Sequence, residues 1–69
     1  MKPTVNFDSS GPSGNIYAIL GRCRDALHKE RRINDHNTMR DRVLSSGSYE
    51  EALGIIREYV VLIDIKGRY

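Results

Sequence analysis

The fold is decided by one apolar stripe in residues 16–27, whose sequence is IYAILGRCRDAL. Large apolar side chains recur there at intervals of three and four, at Ile16, Ile19, Leu20, Cys23 and Leu27. This period predicts an α-helix with one buried side. Asn15 or Ser13 can cap its start by accepting a backbone N–H. Gly21 lies inside the helix at a cost of about 1 kcal/mol relative to Ala, so we expect another stretch of backbone to approach it closely.

A second, shorter helix is expected after a polar connection. It begins at Asn34 or Asp35, and its thin apolar face turns three side chains toward the core, those of Met39, Val43 and Leu44. The two serines and the glycine of residues 45–47 end it.

The third helix begins at a capping box, which is the clearest local signal in the chain. Ser48 is followed three residues later by Glu51. In this motif the Ser48 hydroxyl accepts the N–H of Glu51, and the Glu51 carboxylate accepts the N–H of Ser48. A broad apolar face follows, which consists of Ala52, Leu53, Ile56, Tyr59, Val60 and Ile63.

Two short segments have the composition of strands. Residues 4–7 alternate polar with β-branched or aromatic side chains, and residues 60–65 are rich in β-branched side chains. The second segment either continues the third helix or forms a strand antiparallel to the first. The predicted fold class is therefore mainly α, as one compact three-helix domain over residues 1–69 with at most a short two-stranded β edge from the two termini.

The size of the chain favours self-association. A domain of 69 residues buries only about 60% of the surface of its unfolded chain, so its core is marginal. Cys23 is the only cysteine, so it has no partner for an internal disulfide and cannot form a zinc site alone. We therefore expect a homo-oligomer. No apolar run reaches the length of about 20 residues that a membrane span needs, and no signal-like apolar region is present, so we expect no membrane association and a cytoplasmic location.

Positive charge is concentrated in the middle of the chain. The net charge is +2 overall, whereas residues 16–42 hold seven basic and four acidic side chains, a net charge of +3. Six of the seven basic residues are arginine, whose planar fork suits phosphate and carboxylate groups. Two interpretations stay open, a solvated helix face of mixed sign and a surface that recognises anions.

The loop before the first helix is the most function-like feature. Residues 8–15, DSSGPSGN, carry hydroxyls and two glycines next to a helix N-terminus, which attracts anions. We expect Arg22 and Arg24 to neutralise a bound phosphate and Tyr17 to stack on a base or to line a subunit interface. The alternative is a capped strand-to-helix turn with a packing tyrosine. The loop donors would be those of Ser10, Gly11, Ser13, Gly14 and Asn15.

Catalytic residues are not indicated. His28 and His36 lie eight positions apart without a cysteine or carboxylate at metal-ligand spacing, so both are interpreted as surface or boundary histidines. Cys23 lies on the apolar stripe and is expected to be a core residue. We therefore predict that the protein is not an enzyme and has no catalytic residues, no metal and no cofactor.

Two motifs together resemble a known group of proteins. Residues 10–21, SGPSGNIYAILG, match a G-P-x-G-N pattern followed by an apolar run and a glycine, and residues 46–53, SGSYEEAL, match an S-G-x-Y pattern. The chain resembles a family of small uncharacterised proteins from tailed bacteriophages and prophages, in which Asp is common where this chain has Ser48. The resemblance implies a phage origin and action in the cytoplasm of a bacterial host, with no known activity.

Three functional hypotheses follow. The leading one is a phage counter-defence protein that sequesters a phosphate-bearing nucleotide second messenger as a homo-oligomer, with the ligand at a subunit interface. The alternative is a small inhibitor that binds a host bacterial protein, with the arginines of residues 22–42 against an acidic surface. Nucleic-acid binding is a weaker third, because acidic residues are mixed among the basic ones.

Overall fold

The computed structural model describes residues 2–11 and 14–66, which form three helices and two strands. Their order along the chain is β1 (Thr4–Phe7), α1 (Ile16–Lys29), α2 (Ile33–Leu44), α3 (Tyr49–Ile56) and β2 (Val61–Asp64). The prediction of a mainly α protein with a short two-stranded edge is confirmed. The second helix begins slightly before the predicted Asn34 or Asp35, directly after Arg31 makes a tight turn with a positive φ of 58°.

The two strands pair in parallel, so the antiparallel orientation considered from the sequence is wrong. Thr4 is aligned with Val61 and Phe7 with Asp64. The N–H of Val61 donates to the carbonyl of Pro3 at 2.8 Å, just before β1 begins. The helices carry the chain from the end of β1 back to the end where β1 starts, and a strand that begins there runs parallel to it.

The core lies between the helices and one face of the sheet. Val5 and Phe7 of β1 point into it, whereas Thr4 and Asn6 are exposed. This alternation follows from the two-residue period of a strand. The helices contribute most of the remaining large buried side chains, which include those of Ile19, Leu27, Met39, Val43, Leu53 and Ile56.

Helix α2 differs from its prediction at two positions. Leu44 is 56% exposed, because it follows the buried Val43 and is turned about 100° away from it around the helix. His36 is buried rather than at the surface, because it precedes Met39 by three positions and Val43 by seven and shares their face. Neither ring nitrogen of His36 has a hydrogen-bond partner among the described residues.

The capping box at the start of α3 is partly as predicted. The N–H of Glu51 donates to the Ser48 hydroxyl at 3.1 Å, which confirms Ser48 as the cap. The Glu51 carboxylate accepts from the N–H of Gly47 at 3.1 Å, one residue before the predicted donor. The cap thus also fixes the chain that enters the helix.

Candidate functional site

Several N–H groups in the described part of the loop before α1 are bonded to the protein's own acceptors. Ser10 donates its backbone N–H and its hydroxyl to Oδ1 of Asp8, at 2.9 and 2.7 Å. The N–H of Gly11 donates to the Asp8 carbonyl at 3.1 Å, and that of Gly14 donates to the Gly11 carbonyl at 3.0 Å. Asp8 is buried, so the protein's own carboxyl group already takes up donors that were expected to bind a phosphate.

A second carboxylate reaches the same loop from β2. Asp64 accepts the N–H of Ser9 at 3.2 Å and the Ser9 hydroxyl at 2.6 Å. It also accepts the N–H of Lys66 at 2.9 Å. These hydrogen bonds, led by the Ser9 hydroxyl, lower the pKa of Asp64 below its ordinary value. They stabilise the ionised form, which would repel an incoming anion.

Asn15 caps α1, as the sequence predicts. Its side-chain oxygen accepts the N–H of Tyr17 at 2.8 Å. Ser13, the other candidate cap and a predicted phosphate donor, lies outside the described residues. The described part of the loop therefore has the hydrogen bonding of a capped strand-to-helix turn.

Gly14 is required by the packing of this loop on itself. A Cβ there would lie 2.5 Å from the Asp8 carbonyl oxygen and 2.8 Å from Cα of Ser9. The carbonyl of Gly14 also accepts the hydroxyl of Tyr49, the first residue of α3. The second glycine of the G-P-x-G-N motif thus contacts the tyrosine of the S-G-x-Y motif, which gives the two motifs a shared structural role.

The three other predicted ligand residues lie apart from one another. Tyr17 is 72% exposed at the start of α1. Arg22 turns toward β1, where its Nη1 donates to the carbonyl of Asn6 at 3.3 Å. Arg24 is exposed and, among the residues described, its side chain forms no hydrogen bond or ion pair. The structure therefore brings the loop residues together but does not bring both arginines to them.

One exposed stripe of α1 combines the features of a contact surface. It consists of Tyr17, Gly21, Arg24 and His28, at spacings of four, three and four, and we call it the open face of α1. A Cβ on Gly21 would have nothing within 4 Å. The expectation that another backbone segment approaches Gly21 is therefore wrong for the described part of this chain. His28 was not expected to be a site residue, although the sequence places it on the same helical stripe as Tyr17.

A groove of about 500 Å³ lies on another side of α1, between that helix and β1. The strand side is formed by residues 3–6. The helix side is formed by Arg22, Asp25, Ala26, Lys29 and, at the helix end, Glu30. Its charged side chains are balanced in sign, two basic and two acidic.

Two kinds of reactive site can be assessed in residues 2–11 and 14–66, the cysteine thiol and clusters that could bind a metal ion. Cys23 is buried, and burial raises the pKa of its thiol to about 11, so it stays protonated at neutral pH. Within that part of the chain no group of three or more His, Cys, Asp and Glu side chains could hold a metal ion. No described helix has both the length and the apolar character that crossing a bilayer requires.

Two exposed carboxylates make stability depend on acid pH. Hydrogen bonds from Arg42 at 2.8 and 3.0 Å lower the pKa of Glu58 below its ordinary value of 4.5. Hydrogen bonds from Ser9 lower the pKa of Asp64 below its ordinary value of 3.8. Both pKa values are lower in the folded chain than in the unfolded chain. The two carboxylates therefore contribute fully to the free energy of unfolding when the pH is above the ordinary pKa values, and this contribution is lost as the pH falls through the lowered pKa values.

We therefore expect the melting temperature to be constant above about pH 5 and to fall below about pH 4. Thermal melts followed by circular dichroism from pH 7 to pH 2.5 measure this dependence of the melting temperature on pH. Asp64→Asn and Arg42→Gln should each flatten the acid limb of the curve. An unchanged acid limb in both variants would contradict this assignment.

Comparison with protein-family models, curated proteins and solved structures found no match to this chain.

Proposed function

We propose that this protein acts by binding another protein, through the open face of α1, and that its target carries an acidic surface. The observation that carries the proposal is an exposed tyrosine one helical turn from a glycine with empty surroundings, Tyr17 and Gly21. Tyrosine and arginine are enriched among the residues that dominate binding energy at protein interfaces.

Gly21 supports a contact with another molecule. A glycine inside a helix destabilises it by about 1 kcal/mol relative to Ala, and no described part of this chain uses the space above it. A partner that approached the backbone of α1 would use that space. The missing side chain then serves binding rather than folding.

The charge of the open face supports an acidic partner. Arg24 lies on the stripe between Gly21 and His28, and the stripe holds no acidic residue. Arg32, Arg40 and Arg42 are neutralised by Asp35, Asp41 and Glu58 in ion pairs of 2.7 to 3.3 Å. Arg24 keeps its donors for a carboxylate of another molecule.

The resemblance to small phage proteins suggests that the partner is a bacterial host protein. In this proposal the chain is a counter-defence or regulatory inhibitor and has no chemistry of its own. The nucleotide-sequestering hypothesis stays a prediction, and the two carboxylates bonded to the loop before α1 weigh against it. A panel of cyclic and linear nucleotides that raised the melting temperature would restore it.

Two glycine substitutions separate binding from stability. Gly21→Ala and Gly54→Ala each fill open space on a helix, so each should raise the free energy of unfolding by about 1 kcal/mol. Only Gly21→Ala should weaken partner capture, because Gly54 lies on α3. Urea unfolding measures the first effect. Quantitative capture of proteins from bacterial lysate on the immobilised chain measures the second.

A second pair of variants tests the aromatic contact. Tyr17→Ala should reduce capture of the partner at least about tenfold, whereas Leu44→Ala, at an exposed apolar residue on α2, should leave it unchanged. Equal capture by the wild type, Gly21→Ala and Tyr17→Ala would show that the open face of α1 is not the binding surface. Failure of the wild type to retain any protein would count against the proposal itself.

A further inference from the structure

We infer that a second copy of this chain docks in the groove between β1 and α1, extending the two-stranded sheet to four strands across a twofold axis. This contact is separate from the proposed function, which uses the open face of α1. The inference is carried by the free edge of β1 and by the order of charges along the groove.

The edge of β1 that faces the groove pairs with no other strand among the described residues. The carbonyls of Pro3 and Phe7 accept N–H groups from Val61 and Ile65, so they point toward β2. Backbone groups alternate in direction along a strand, so those of Thr4 and Asn6 point the other way. The guanidinium of Arg22 reaches the Asn6 carbonyl from the groove side, which agrees with this direction. Such an edge is a template for another strand.

The charges on the helix side of the groove are complementary to themselves. Along α1 the sequence places a base at Arg22, an acid at Asp25, the small Ala26, a base at Lys29 and an acid at Glu30. A twofold axis near Ala26 reverses this order in the second copy. It places Arg22 opposite Glu30 of the partner subunit, and Asp25 opposite Lys29 of the partner subunit.

This order of charges favours a second copy over a charged peptide. An acidic or basic peptide would meet as many like charges as opposite ones in the groove, since two of each sign line it. An antiparallel copy of the same surface meets opposite charges along its length. The hydrogen bond from Arg22 to Asn6, at 3.3 Å and exposed, is weak enough to be exchanged for a strand and a carboxylate.

The size of the sheet supports the same conclusion. The sheet has only two strands, so β1 has one edge that no described strand covers. Pairing two copies through β1 would make a four-stranded sheet with β2 at each outer edge. It would also bury surface of both subunits, which adds contacts to a chain of only 69 residues.

Charge reversal tests the twofold contact. Sedimentation velocity and light scattering between about 1 µM and 1 mM should give the wild type a mass twice that of the 7.9 kDa chain. Arg22→Glu and Glu30→Arg should each weaken dimerisation at least about tenfold, because each places like charges opposite one another. The double variant should regain the wild-type affinity within about threefold. Arg24→Glu makes the same charge change on the open face of α1 and should leave the dimer intact.

A proline substitution tests the strand contact separately. Asn6→Pro removes an N–H that faces the groove, a position where an edge strand tolerates proline. It should give a monomer whose circular dichroism spectrum is that of the wild type. A wild type that stays monomeric at 1 mM, or single charge variants that dimerise as the wild type does, would overturn the inference. The partner capture of the proposed function is read separately on each of these variants.

Discussion

Gly14→Ala is expected to lower the free energy of unfolding by about 2–3 kcal/mol, although it adds one methyl group to a loop. The new Cβ would lie 2.5 Å from the carbonyl oxygen of Asp8 and 2.8 Å from Cα of Ser9. Both are backbone atoms, so rotation of a side chain cannot relieve the collision. The loop must move, and its movement strains the contacts of Asp8 with Ser10 and of Gly14 with Tyr49.

Gly11→Ala is the matched control for this prediction. Its Cβ would meet only the Asp8 side chain, at 3.4 Å or more, which is ordinary contact distance. Urea unfolding of both variants should show a large loss for Gly14→Ala and a change within about 0.5 kcal/mol for Gly11→Ala. Equal, small changes would mean that Gly14 is not needed for packing, and would return the loop to consideration as an anion site.

Two glycines, one in the loop before α1 and one inside α1, illustrate what a sequence can predict about function. Gly14 and Gly21 were both expected to allow close approach, the first to a ligand and the second to backbone. The structure places the protein's own backbone beside Gly14 and nothing beside Gly21. A glycine has no side chain, so its presence in a sequence indicates that a close contact is possible. Only the positions of its neighbours in the structure show which group makes that contact.

Features that depend on residues close together in the sequence were predicted more accurately than features that depend on tertiary packing. The apolar stripe of α1, the Asn15 cap and the Ser48 cap each depend on residues within one or two turns, and all three are confirmed. The thin apolar face of α2 left its orientation open, which is why Leu44 and His36 were misplaced.

Two carboxylates argue against an anion site in the loop, and one of them is close to the loop in sequence whereas the other is distant. Asp8 accepts from Ser10, two positions along, and a turn of this kind is typical of Asp before a glycine-rich loop. Asp64 reaches Ser9 only because β2 lies parallel to β1 with Phe7 aligned to Asp64. That register depends on the packing of three helices, so no local pattern predicts that a second carboxylate reaches the loop.

Phe7→Ala is expected to lower the free energy of unfolding by more than Gly14→Ala does, by about 3–5 kcal/mol. Phe7 is among the largest fully buried side chains and, with Val5, anchors β1 on the helices. A domain of this size has a total stability of roughly 3–10 kcal/mol by per-residue norms. The variant should therefore be largely unfolded at 37 °C, as measured by loss of the far-ultraviolet helix signal.

The comparison with Tyr17→Ala makes this prediction informative about function. Tyr17 is also an aromatic residue, but it is 72% exposed, so its removal should change the free energy of unfolding by no more than about 0.5 kcal/mol. Phe7→Ala should abolish partner capture and dimerisation together, because both surfaces need the fold. Tyr17→Ala should weaken capture at least about tenfold and leave dimerisation unchanged, because the groove with its β1 edge is left intact. A loss of stability with Tyr17→Ala would mean that the ring serves packing, and the open face of α1 would then lose its strongest argument as a binding surface.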